Sequence, residues 1–61
     1  MTYAIQKYDS KTDTLYDYGK GHTEEDLKAI TKGYTLSDTQ LGTMKFYTRK
    51  GSRYTFSVTE Q

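Results

Sequence analysis

His22-Thr-Glu-Glu-Asp-Leu-Lys-Ala-Ile-Thr-Lys-Gly-Tyr34 is the one segment of this chain in which every local signal points to the same structure, a single short helix. Thr23 stands as N-cap with Asp26 three residues later, the spacing of a capping box in which each residue satisfies a free amide of the other. Glu24, Glu25 and Asp26 place negative charge at the positive end of the helix dipole, and Lys32 places a cation at the negative end. Gly33 closes the segment, because glycine takes the left-handed C′ conformation without a steric penalty. Thr23, Leu27, Ile30 and Tyr34 recur as one stripe of a 3.6-residue period, whereas Glu24 and Lys28 make an i,i+4 pair on the opposite side. One face is built for a core and the other for water.

The flanks read as strands. Residues 2–8 alternate, with Tyr3 and Ile5 on one side and Gln6 and Tyr8 on the other. Asp9 to Asp13 has turn chemistry and residues 14–18 resume as a strand, which makes a first hairpin. Gly19-Lys20-Gly21 then breaks that strand and turns the chain into the helix. Beyond Gly33, the segment from Thr35 to Leu41 carries a second capping signature, Ser37 with Gln40, but has room for only one turn before Gly42. It is read as a short turn-like connection. Residues 43–48 and 53–59 form a second hairpin around Arg49-Lys50-Gly51-Ser52, with Met44 and Phe46 facing one way and Tyr54, Phe56 and Val58 pointing inward.

This order predicts an α+β fold, a single domain over residues 1–61 in which one helix packs on a four-stranded, mainly antiparallel sheet in a hairpin, helix, hairpin layout. The expected core is Tyr3, Ile5, Leu27, Ile30, Met44, Phe46, Phe56 and Val58. The other sheet face is expected to be polar and dotted with tyrosines.

Composition narrows the function. A domain of 61 residues buries only about 60% of the surface its unfolded chain exposes, so the core is thin. Against four Leu, two Ile, one Val and two Phe stand seven Tyr. Each Tyr keeps one end wet, which places part of this apolar area at a surface or an interface and makes a homodimer the expected state. Nine basic residues meet eight acidic ones for a net charge of +1, which fits neither a disordered chain nor a partner held by bulk charge. The absence of Cys excludes disulfides, thiolate zinc sites and thiol catalysis. Residues 1–7 lack the apolar run of a signal peptide and no stretch reaches the roughly 18 apolar residues of a membrane helix, so the expected location is the cytoplasm, with no membrane partner.

No motif argues for an enzyme, a metal or a cofactor. His22 stands alone, and a metal site needs several converging ligands. The three carboxylates of the helix start are explained by the dipole. Gly19-Lys20-Gly21 lacks the longer loop and the Lys-Ser/Thr ending of a nucleotide cradle. The second hairpin offers more: Lys45, Tyr47 and Arg53 on the outward sheet face, with Arg49 and Lys50 at its tip, combine cations for phosphates with an aromatic for base stacking. The same cations also suit a solvated edge that deters pairing with another sheet.

Two resemblances add expectations. The order of elements, with Met1-Thr-Tyr3 opening the chain and Thr55-Phe-Ser-Val-Thr-Glu60 closing it, resembles the immunoglobulin-binding domains of streptococcal protein G. It implies a central parallel pair of first and last strands. The helix departs from that family's Ala-rich, Phe-bearing binding helix, so antibody binding is not carried over. Leu15-Tyr-Asp-Tyr-Gly-Lys-Gly21, followed by Thr23, Asp26 and Leu27, is similar to the small uracil-DNA glycosylase inhibitors of Bacillus phages, dimers that mimic DNA in charge and sequester a protruding apolar residue of the enzyme. Lys32-Gly-Tyr-Thr-Leu-Ser-Asp38 matches the same stretch in a second register. Lys28 stands where the first register has an acidic residue, and the chain lacks the family's acidic excess. In that register Leu27, Ile30 and Thr31 lie near the inhibitory pocket.

The leading expectation is a small non-enzymatic protein-binding module, of phage or mobile-element type, with uracil-DNA glycosylase as the most concrete partner. Its partner-binding residues are Tyr16, Asp17, Tyr18, Glu24, Glu25, Asp26 and Leu27. The alternative is a nucleic-acid-binding domain acting through Lys45, Tyr47, Arg49, Lys50 and Arg53.

Overall fold

The first and last strands, Tyr3–Asp9 (β1) and Tyr54–Glu60 (β5), pair along their whole length, Tyr3 opposite Glu60 and Asp9 opposite Tyr54. The computed structural model describes residues 1–61 and adds strand Thr14–Asp17 (β2), helix Glu24–Ile30 (α1), and strands Thr35–Leu41 (β3) and Met44–Thr48 (β4). The sheet order is β2-β1-β5-β4-β3, with every neighbouring pair antiparallel. The protein is a single α+β domain: one short helix on one face of a five-stranded sheet. No helix is long and apolar enough to cross a membrane.

Two expectations about the layout are corrected. The segment 35–41 is a strand, so the sheet has five strands and the helix is followed by a three-stranded meander. The extra strand reverses the direction in which the chain enters its last one, and β1 and β5 therefore run antiparallel instead of parallel. Ser37 does use its hydroxyl locally, accepting from the Thr39 N–H at 3.2 Å, but in a bulge and not in a helix cap. Leu36 pairs with Tyr47 and Gln40 with Lys45, which leaves Ser37, Asp38 and Thr39 opposite the single residue Phe46.

The helix forms where its caps dictate. The Asp26 N–H donates to Thr23 Oγ1 at 3.2 Å and the Thr23 N–H donates to Asp26 Oδ2 at 3.2 Å, a complete capping box. The Thr31 N–H closes the last turn on the Leu27 carbonyl at 2.9 Å, and Gly33 follows at φ +84°, a conformation that a Cβ would strain. Lys32 falls just beyond α1. Glu24 and Lys28 do not pair: the ion pairs are His22 with Asp26 and Arg53 with Asp9. Upstream, Tyr3 and His22 exchange backbone hydrogen bonds of 2.9 and 3.1 Å, so the stretch after β2 stays beside β1 until the helix begins.

Leu27, 7% exposed, presses onto Ile5, Phe56 and Val58, and Tyr3, Ile30, Tyr34 and Tyr47 pack around them. Each fully buried side chain of this size contributes about 1.5–3 kcal/mol. Only six residues are buried, two of them the polar Asp9 and Thr31, so this core has little to spare.

Met44 and Phe46 are not in the core. The register sets Lys45 against Val58 and Tyr47 against Phe56, which turns Lys45 and Tyr47 toward the helix and Met44 and Phe46 to the opposite, open face. A one-residue change of phase moves a strand's whole apolar set across the sheet. The tyrosines are reversed too. Tyr3, Tyr16, Tyr47 and Tyr54 lie on the helix side by register, and Tyr18 and Tyr34 lie there by contact with Phe56, so of the seven only Tyr8 is on the open face.

Candidate functional site

A helix of seven residues cannot cover a five-stranded sheet, and α1 covers the part over Ile5, Phe56 and Val58. Toward β2, the helix-side face is left to Lys7, Tyr16, Tyr18 and Tyr54. Lys7 is in phase with Tyr3 and Ile5 along β1, directly opposite Tyr16 on one flank and Phe56 on the other. Its Nζ lies 4.5 Å from the ring centroid of Tyr54, 5.0 Å from Tyr16 and 5.8 Å from Tyr18. All three are within the reach of a cation–π attraction. The Arg53 guanidinium lies 5.1 Å from the Tyr54 ring centroid, and Nη2 donates to Tyr54 Oη at 3.0 Å.

The rings are anchored from below. Tyr18 meets Phe56 edge-on at 6.2 Å and 77°, and Tyr34 meets it edge-on at 4.9 Å and 90°. His22 Nε2 donates to the Tyr18 carbonyl at 2.6 Å, fixing the chain that carries that ring. Tyr16 and Tyr18 nonetheless remain 45% and 39% exposed.

Asp9 supports the cationic side of this patch. Its carboxyl is 1% exposed; Oδ1 accepts from the Lys11 N–H at 3.0 Å and the Thr12 N–H at 3.4 Å, and Oδ2 lies 3.2 Å from Arg53 Nε. The Arg53 contact is close enough for an ion pair but is not aligned as a hydrogen bond, so Oδ2 is held by charge alone. Burial pushes the carboxyl up, and the Lys11 and Thr12 bonds together with the Arg53 charge outweigh it, so Asp9 titrates below its ordinary range. Arg53 is shifted upward by its bond to Tyr54 and by Asp9.

Beside the patch, a groove of about 360 Å³ is lined by Tyr34, Arg49, Lys50, Gly51, Ser52 and Tyr54. Ser52 ties its walls together, its Oγ bonded to the Tyr34 hydroxyl and accepting from the Tyr54 N–H at 3.1 Å. Arg49 and Lys50 are exposed at its rim. A second recess of about 300 Å³ lies between α1 and Tyr47, with Leu27 on its lining and Glu24, Lys28 and Lys32 around it.

Of the residues expected to bind a partner, Tyr16 and Tyr18 meet in the patch. Asp17 lies opposite Gln6, on the other face of the sheet, and its Oδ1 accepts from the Gly19 N–H at 2.8 Å. Glu24, Glu25 and Asp26 are exposed on the first turn of α1, with Asp26 engaged in the cap and 3.5 Å from His22 Nδ1. Leu27 is taken up by the core, and neither Tyr16 nor Tyr18 lines the recess that it reaches. Of the second set, Arg49 and Lys50 are at the groove and Arg53 is paired with Asp9. Lys45 and Tyr47 lie on the helix side instead of the outward face, and Tyr47 packs against the core. Lys7, Tyr34 and Tyr54 were not among the expected site residues. The signal for Lys7 was its phase: a lysine alternating with Tyr3 and Ile5 points to the apolar side of its strand.

No family model, curated protein or solved structure matches this chain.

Proposed function

We propose that this chain is a small, non-enzymatic protein-binding module whose working surface is the tyrosine patch around Lys7. The observation that carries this reading is the position of the Lys7 ammonium among the rings of Tyr16, Tyr18 and Tyr54, at 5.0, 5.8 and 4.5 Å. Tyrosine and arginine dominate the energetics of protein interfaces, and rings held in place before contact lose little freedom on binding. Tyr16, Tyr18, Tyr54 and Arg53 meet both conditions. The test is capture by the folded domain, followed by titration with the purified captured protein. A saturable complex lost in Tyr16→Ala and Tyr54→Ala, and kept in Lys28→Ala, is the expected result. Uracil-DNA glycosylase is the first purified partner to try, with uracil excision as the readout. No partner whose binding depends on Tyr16 or Tyr54 would discard the reading.

A second reading rests on the groove, where Arg49 and Lys50 stand beside Tyr34 and Tyr54 as phosphate-binding cations beside stacking rings. It is the weaker of the two. Lys7 and Arg53, which both contact Tyr54 of its lining, are already engaged by rings and by Asp9. Binding of single-stranded oligonucleotides that falls steeply with salt and is lost in Arg49→Ala with Lys50→Ala would favour it.

A further inference from the structure

We infer that two copies of this chain associate through their open sheet faces, forming a two-layer sandwich with the helices on the outside. The inference is independent of the tyrosine patch, which lies on the other side of the sheet. By register the open face carries Ala4, Gln6 and Tyr8 of β1, Met44, Phe46 and Thr48 of β4, and Thr55, Ser57 and Thr59 of β5. Leu15 stands beside Tyr8, and Leu41 beside Met44. In a chain in which 28% of residues are charged, the strand positions of β1, β2, β4 and β5 on this face include one charge, Asp17 in the edge strand β2. The two lysines and the glutamate of these strands, Lys7, Lys45 and Glu60, all point to the helix side.

An uncovered antiparallel sheet normally turns a polar, charged face to water. This one presents Tyr8, Leu15 and Leu41, 38%, 57% and 66% exposed, around the half-buried Met44 and Phe46, in the neutral surroundings typical of the centre of an interface. A partner with a charged surface would lose solvation without finding counter-charges here, whereas a second copy presents a face that is equally neutral. The size fits as well. Strands of 7, 4, 7, 5 and 7 residues, at about 4.8 Å spacing and about 3.3 Å per residue, give a flat area of roughly 475 Å². Side chains projecting from the pleat enlarge this toward the ~600 Å² per partner at the low end of specific interfaces. Association by edges is disfavoured, because β2 has only four residues and β3 carries the bulge at Ser37–Thr39.

Sedimentation equilibrium from micromolar to millimolar concentration tests the inference. The mass of the wild-type chain is expected to rise from 7.1 kDa to twice that value, and Phe46→Lys is expected to hold it at 7.1 kDa with the circular dichroism unchanged. Tyr16→Ala should leave the dimer intact. The lack of cysteine permits a second measurement that does not depend on how Phe46→Lys folds: Ser57→Cys, at the centre of the face, should be cross-linked by a short bis-maleimide far faster than Lys50→Cys. A wild-type chain that stays monomeric at millimolar concentration, a dimer that survives in folded Phe46→Lys, or equal cross-linking at the two positions would each overturn the inference.

Discussion

Lys7 and Phe56 stand directly opposite one another across the β1–β5 pair, and the boundary between the core and the tyrosine patch runs between them. Phe56 is 5% exposed and receives the edges of Tyr18 and Tyr34; Lys7 lies over Tyr16, Tyr18 and Tyr54. Tyr18 touches both. The patch is thereby braced by the same two strands, β1 and β5, that carry Ile5, Phe56 and Val58 of the core.

The helix contributes to stability through one residue above all. Leu27→Ala is expected to destabilise the domain by about 2–5 kcal/mol. A chain of this length has only a few kcal/mol in total, so the variant should be largely unfolded at room temperature. Lys28→Ala, on the exposed side of α1, should change urea melts by less than about 0.5 kcal/mol. Equal losses from the two substitutions would mean that the helix does not dock through this face.

Lys7→Met keeps most of the side-chain volume and removes the charge from the three rings. Partly exposed cation–π contacts are worth about 0.5–1 kcal/mol each and are not additive, so a loss of about 1 kcal/mol is expected, with a weaker near-ultraviolet circular dichroism signal from the tyrosines. Lys7→Arg should retain both. A Lys7→Met variant that matches the wild type in melt and spectrum would show that the ammonium does not order the rings.

Asp9 predicts the acid limb of stability. Its carboxyl titrates below its ordinary range in the folded chain, so the folded state favours the charged form. The stability it contributes is therefore present above the ordinary carboxylate pKa of about 4 and is lost as the pH falls through the lower folded-state value. In Asp9→Asn the melting temperature should be lower at neutral pH and should fall less steeply on acidification below about pH 4. Parallel curves for the two proteins would assign the acid sensitivity to other carboxylates.

Tyr8 predicts the alkaline limb. Its hydroxyl donates to the Asp13 carboxylate, and that bond, followed by partial burial and the charges of Asp13 and Asp9, raises its pKa above the ordinary tyrosine value. A raised value means stability that is present below about pH 10 and lost as the pH rises through the folded-state pKa. Ultraviolet titration of Tyr8→Phe should show one late-ionising phenol fewer, with a shallower decline of melting temperature in alkali. An unchanged titration would place the late phenol elsewhere, with Tyr3 the next to examine, since burial and the charge of Glu24 raise it as well.

The sequence by itself determined the elements whose causes are local. The capping box of Thr23 and Asp26 and the terminating Gly33 set α1 to within a residue or two, because caps are satisfied by neighbours along the chain. The turns at Asp9–Asp13 and Arg49–Ser52 likewise set the two hairpins, and the phase of β1 and β5 set Ile5, Phe56 and Val58 in the core. Tertiary structure decided what depends on pairing. Met44-Lys-Phe-Tyr-Thr48 carries an aromatic in either phase, so only its register against β5 could turn Tyr47 inward and leave Phe46 on the open face. Ser37 showed a real local hydrogen bond, but whether it served a cap or a bulge depended on β4 lying alongside. The tyrosine patch was half legible. Tyr16 and Tyr18 stood out as aromatics, whereas the cation between them and Tyr54 is assembled from strands 47 residues apart in sequence, a distance over which no local signal acts and only the antiparallel closure of β1 on β5 brings Lys7 and Tyr54 together.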